Sequence, residues 1–155
     1  MAIIIEALGG RKATRDRCVK LAYYCVNKMM PRKRNLDVTI NLIPRLQETA
    51  EVAGDCVDTE DLNTFEINLD SSASERKILL TLAHEMVHVK QFTRKELKHS
   101  EFVHIAIWKG RRWCTHKTHY YDLPWEIEAH GMEVGLFDRW VIQDGVVGKF
   151  TKDLT

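Results

Sequence analysis

The sequence predicts an α+β domain on three observations. Residues 36–43 and 64–70 alternate apolar and polar side chains, the period of a half-buried strand. Segments at 11–30, 72–92 and 124–141 read as helices, so helices and strands do not alternate as they would in a doubly wound sheet. The chain has 155 residues, 45% hydrophobic and 29% charged, enough for one domain with a buried core.

The elements follow in order. The opening "MAIIIEALGG" holds one short apolar run with no basic region before it, too short for a signal peptide or a membrane span. Residues 11–30 place Cys18, Leu21, Ala22, Cys25, Val26 and Met29 on one helical face, and Pro31 ends the helix. In "LDVTINLI", Val38, Ile40 and Leu42 point inward against Thr39 and Asn41. A polar, acidic connection containing Gly54 leads to "TFEINLD", with Phe65, Ile67 and Leu69 inward and Glu66, Asn68 and Asp70 outward. Ser72 and Glu75 read as a capping box for the next helix, whose Leu79, Leu82, Ala83 and Met86 form an apolar stripe. "FVHIAIW" at 102–108 reads as a strand, and Lys109-Gly110 as a turn into "RRWC". Pro124 suits the first turn of a last helix reaching Val141, which Gly131 and Gly135 weaken.

A net charge of +1 gives no global field that would argue for nucleic acid. Basic clusters at 11–17, 31–34 and 111–112 read as solvated surface unless the fold brings them together. Cys18, Cys25, Cys56 and Cys114 lack C-x-x-C spacing, which points to reduced structural thiols and a cytoplasmic protein.

One stretch carries chemistry. "TLAHEMVHVKQ", residues 81–91, contains His84, Glu85 and His88 at the spacing H-E-x-x-H. With 7 His and 12 Glu, a shuffled chain would contain that pattern roughly 2 times in 100, so the motif alone is only suggestive. Residues four apart share a helical face, which lets two imidazoles reach one metal ion. A catalytic zinc normally takes three protein ligands and leaves a position for water. The downstream "PWEIEAHGMEVG" offers Glu126 or Glu128, which lie about 200° apart around a helix and cannot both face one ion. His99, His104, His116 and His119 are other imidazoles the fold could supply.

"HEMVH" followed by "EIEAH" resembles the Glu-zincin metallopeptidases, in which a Glu on a downstream helix completes H-E-x-x-H. The resemblance covers residues 74–92 and 120–137 and extends to the short minimal Glu-zincins and ImmA/IrrE-like proteases. It implies His84, His88 and Glu126 as Zn²⁺ ligands, Glu85 as general base, and Ala129 as the small residue that lets two helices approach. It implies a zincin-like single domain over 1–155, with a small mixed or antiparallel sheet whose edge is the strand before the motif helix. The chain departs from the family at His130, where Asp or Asn usually holds a ligand imidazole. His130 could accept the same bond or ligate.

The activity implied is peptide-bond hydrolysis on a protein or peptide substrate, with His119, Tyr120 or Tyr121 as candidate donors to the oxyanion. The strand at 102–108 is a further edge on which a peptide could add. A metzincin needs a histidine where Arg94 stands. Two alternatives remain at this level. One is a SprT-like protease acting on DNA-bound proteins, which usually uses a third His. The other is a zincin-fold binding or inhibitory module without catalysis.

Overall fold

The computed structural model describes residues 2–59 and 61–144, so the end of the expected 1–155 domain lies outside the described residues. The elements run β1 (Ile3–Leu8), α1 (Lys12–Met29), β2 (Leu36–Ile43), α2 (Leu46–Ala50), β3 (Gly54–Asp58), β4 (Thr64–Asp70) and α3 (Glu75–Thr93). Then come β5 (Leu97–His99), β6 (Ile105–Trp108), β7 (Arg111–Cys114), a 3-10 turn at Tyr120–Asp122 and α4 (Pro124–Gln143). The fold is α+β. The main sheet is mixed, in the order β1-β2-β4-β3: β1, β2 and β4 are parallel, and β3 runs antiparallel along the edge. A second sheet, β5-β6-β7, is an antiparallel meander. No described helix is long and apolar enough to cross a membrane.

The alternation in β2 does what the sequence implies: Val38, Ile40 and Leu42 are buried while Thr39 and Asn41 are half-buried. The α1 face from Cys18 to Met29 is buried against the same layer, and the four cysteines are free thiols. Leu79, Leu82, Ala83 and Met86 of α3 are all fully buried, so α3 is the central helix between the sheet and α4.

Several expectations are corrected. The helix cap is Ser74, whose hydroxyl accepts from the Lys77 N–H, whereas the Ser72 hydroxyl accepts from the Arg45 N–H. Asp70 is not outward: it is buried at the strand end, where it accepts from the Ser72 and Gln47 N–H groups. The strand before the motif helix, β4, is interior, and the edge belongs to β3, inside a segment that reads as polar connection. The strand expected at 102–108 starts only at Ile105 and is the middle of its sheet, so it offers no free edge.

The β3 edge lies close against α3, and Gly54 permits it. A Cβ there would lie 2.7 Å from Thr81 Cγ2 and 2.9 Å from the Asn68 carbonyl oxygen. Gly54→Ala should therefore cost about 1–3 kcal/mol through overpacking. Thermal unfolding checks this, and an unchanged midpoint would mean that β3 is not held tightly.

Candidate metal centre

The centre forms where α3 meets α4. His84 and His88 stand one helical turn apart on the α3 face turned to α4, and Ala129, fully buried, keeps the two helices close. Pro124 starts α4, so Glu126 sits in its first turn and faces α3. The Glu126 carboxylate lies 3.0 Å from His84 Nε2 through Oε1 and 3.3 Å from His88 Nε2 through Oε2. The two Nε2 atoms are 3.2 Å apart. All three residues are buried.

Those spacings fit a divalent cation. Bonds of about 2.0–2.1 Å to a tetrahedral ion place its ligand atoms about 3.3 Å apart. Proton positions argue the same way, through Gln91. Its amide N–H₂ is committed to two acceptors, the Trp125 carbonyl at 3.0 Å and Glu128 Oε1 at 3.1 Å. The amide oxygen therefore faces His88 Nδ1 at 2.8 Å and can only accept, so Nδ1 carries a proton. A neutral His88 then presents a bare Nε2 lone pair to His84 and Glu126. The outer Nδ1 of His84 is buried with no hydrogen-bond partner; Glu133 Oε1 at 3.7 Å is too far for one. The point where the three ligand atoms meet needs positive charge, which protons on the imidazoles supply in the metal-free protein and a metal ion would supply in their place.

Glu128 is turned elsewhere. It accepts from the Lys90 ammonium at 2.8 Å and from Gln91, and Lys90 also pairs with Glu96 at 2.8 Å. Its place is behind the centre, holding the residue that orients His88. His130 offers a second arrangement, because its ligand-capable atom lies within 4.8 Å of those of His84 and Glu126. Its nitrogens are engaged, however: Nδ1 lies 2.7 Å from Glu133 Oε1 and Nε2 lies 3.2 Å from the Tyr120 hydroxyl. The set with His88 is the tighter one.

Glu85 faces a groove between α3 and β3. On one side of it a cavity of about 350 Å³ is lined by Val52, Lys77, Thr81 and Glu133. On the other, a cavity of about 290 Å³ is lined by Cys56, Phe92, Leu97 and Trp125. His84 and Tyr120 border both. Burial pushes the Glu85 carboxyl up to about 7, against the pull of the two imidazoles. Burial also opposes charge on His84, but the Glu126 and Glu133 carboxylates overcome it and raise the imidazole to about 9. Glu126 is likewise resisted by burial, yet bonds from His84, His88 and Tyr120 hold it well below the usual carboxylate range.

Tyr120 belongs to the centre, since its hydroxyl donates to Glu126 Oε1 at 2.7 Å. Tyr121 is at the rim, 64% exposed, its ring packed on His119 and His130. His119 caps the 3-10 turn by accepting from the Tyr121 N–H. His99 stacks on Phe92, and His104 packs against His116 with the rings tilted by 59°. None of these four histidines joins the cluster among the described residues. The basic clusters at 11–17 and 31–34 sit at opposite ends of α1, which at 18 residues is about 27 Å long, so they do not meet.

Sequence reading passes over Gln91 and Glu133. Gln91 lies on the face of His88, three residues on, and a polar residue there was the available signal.

No family model matches this chain, and no curated protein and no solved structure matches it. The geometry of the centre is thus the ground for a functional reading.

The metal-free protein has a definite pH dependence. His84 moves from 6.5 to about 9 on folding, so its stabilisation is complete below about 6.5 and is lost as pH rises through about 9. Glu85 moves from 4.5 to about 7, so folding also weakens as pH rises through that window. In chelator, the unfolding midpoint should fall between about pH 5 and 9, and His84→Gln should flatten the upper half of the curve. A midpoint rising across that range would contradict the assignment.

Proposed function

We propose that this chain is a zinc-dependent metallopeptidase of the small Glu-zincin type, with a zincin-like arrangement of its α+β domain. One observation carries the reading: His84, His88 and Glu126 converge at 3.0–3.3 Å beside a groove that Glu85 faces. His84, His88 and Glu126 would hold the ion, through two imidazole nitrogens and a carboxylate. Zinc, when bound, supplies Lewis acidity that lets water act as a nucleophile near neutral pH.

The remaining work falls to side chains of this chain. Glu85, with a carboxyl near 7, is suited to take a proton from the attacking water and return it to the leaving amine. Tyr120 holds its hydroxyl proton tightly, because burial and the bond to Glu126 both raise its pKa. It therefore serves as a donor, either to Glu126 or to an oxygen on which charge develops. The outer edge of β3 has no strand partner among the described residues and flanks the groove, so an extended peptide can add there as a strand. Free cysteines fit a reducing compartment and thus a cytoplasmic protein.

The reading as a SprT-like protease draws less support, because His99, His104, His116 and His119 all stand outside the centre. A module without catalysis would have no use for a buried Glu85 whose charged form burial disfavours.

Purified protein reconstituted with zinc should hold about one ion per chain, measured by elemental analysis. Absence of bound metal would sink the proposal. Glu85→Gln should keep the zinc while lowering peptide turnover by about 10²-fold or more. Loss of the metal in that variant would instead make Glu85 a ligand.

The ligand and its supports separate by affinity. Glu126→Ala should release zinc to a mild chelator. Gln91→Met and Glu128→Ala should weaken binding only about 10–100-fold, as expected for residues that orient a ligand. Competition with a chromophoric chelator ranks them. Equal losses for Glu126→Ala and Glu128→Ala would show that the two glutamates are misassigned.

A further inference from the structure

Six lysines and arginines stand between residues 95 and 117 against two glutamates, in a chain whose total balance is +1. The fold sorts them. In the β5-β6-β7 meander, the start of β5, the end of β6 and the start of β7 all lie at one end of the sheet. That end therefore gathers Lys95, Lys109, Arg111 and Arg112, which are distant from one another in part of the sequence. The Lys109 N–H donates to the Glu96 carbonyl at 2.7 Å, which ties the hairpin tip to the residue beside Lys95. Lys98 and Arg112 both pair across to Ile107, so they share one face about 10 Å apart. Of the three basic clusters visible in the sequence, only Arg111-Arg112 belongs here.

These five cations are exposed, and among the described residues none lies within 4 Å of a carboxylate. The nearby acids are already engaged, since Glu96 and Glu128 share the Lys90 ammonium, although Lys109 also feels Glu128. Two of the cations are held extended on flat rings. Lys109 Nζ lies 5.2 Å from the Trp108 ring centroid, and the Arg111 guanidinium lies 4.7 Å from that of Trp113. The turn between them is as tight as a hairpin allows, with Lys109 at φ 48° and Gly110 at φ 85°. A cationic end of a three-stranded sheet results, with the tight turn at its centre.

We propose that the β6–β7 hairpin, with Lys95 and Lys98 beside it, is a docking surface for the phosphate backbone of nucleic acid. Two features favour that occupant. Unpaired cations concentrated at one end are the electrostatic footprint of a polyanion site. Arg112, on the face of Lys98, and Arg111, on the opposite face, each present a planar fork suited to phosphate oxygens. The contacts are to backbone, so binding is independent of sequence. This surface stands apart from the metal centre and does not depend on the hydrolytic reading.

The test is fluorescence anisotropy of the full chain with a labelled duplex oligonucleotide over a range of salt. At about 0.1 M salt the Kd should lie in the range of about 10⁻⁴–10⁻⁶ M. Five phosphate contacts imply a log–log slope of about −4 to −5, a loss of about 10²–10³-fold between 50 and 200 mM salt. The triple variant K109Q/R111Q/R112Q should cut the slope by about 3, while Lys12→Gln and Lys20→Gln, on α1, should leave it unchanged. Circular dichroism shows whether the triple variant folds; Arg112→Gln alone, which should reduce the slope by about 1, serves if it does not. No binding at 50 mM salt would overturn the proposal, as would binding that survives the substitutions. Tight, salt-sensitive binding to polyglutamate with none to the oligonucleotide would assign the surface to an acidic protein instead.

Discussion

The register of α4 against α3 is the constraint on which the centre depends. A carboxylate and two imidazoles buried between helices are costly unless every polar atom finds a partner. The chain meets that demand on the His88 side with a line of bonds from Lys90 to Glu128, to Gln91 and on to His88, and leaves His84 Nδ1 without a hydrogen-bond partner. Gln91 is completely buried and also holds the Trp125 carbonyl at the start of α4. That bond fixes α4 along its axis, and the burial of Ala129 fixes how close it comes. With both set, Glu126 has nowhere to point except at the imidazoles. The rotation of about 200° that separates Glu128 from it becomes a division of labour, one carboxylate toward the ion site and one behind it.

The groove is a consequence of strand order. Because β3 turns back antiparallel to β4, it ends the sheet beside α3, and Gly54 lets it approach. Glu85 then lies under an open strand edge instead of in the apolar core. The same burial that raises its carboxyl to about 7 is what suits it to exchange a proton near neutral pH. The two sides of the groove differ in their residues: Phe92, Leu97 and Trp125 line one, beside Asp55 and the ion site, while Lys77, Thr81 and Glu133 line the other. A peptide lying along β3 would meet the Phe92 and Trp125 rings on one side of Glu85 and the Lys77 and Glu133 side chains on the other.

The fold was legible wherever periodicity and burial coincide. In β2, β4 and α1 one face is more buried than the other, so the pattern is printed in the residues, whereas α3 is buried all round from Leu82 to Gln91 and shows through its apolar stripe and its histidine spacing. The strands β1 and β3 escape for the opposite reason. "IIIEAL" does not alternate, and Ile4 and Leu8 are half exposed; "GDCVD" is a polar edge strand whose pairing partner, not its own pattern, makes it a strand. The capping error is local. Ser72 and Ser74 both precede the helix, and the choice was made by Asp70 and Arg45, which draw Ser72 into the turn before it. Within the centre, His84, Glu85, His88 and Glu126 were visible as ionisable types at telling spacing. Gln91 and Glu133 were not: each contacts a histidine three residues away, but what turns the Gln91 oxygen to His88 is the commitment of its amide N–H₂ to Trp125 and Glu128, which only the packing of α4 supplies.

The line of bonds does not stop at the centre. Lys90 carries it from Glu128 to Glu96, and the Glu96 carbonyl receives the Lys109 N–H at the tip of the β6–β7 hairpin. One network thus orients the His88 imidazole at one end and anchors the second sheet at the other. Continuity of contacts is not coupling, which requires an element with two arrangements that both sites bias. What the network does impose is a fixed distance and direction between centre and hairpin. The small sheet also borders the groove along β3, where Leu97 lines it and His99 Nε2 stands 3.9 Å from Asp58 Oδ2, so the buried lysine shared by two carboxylates helps to hold one wall of the groove.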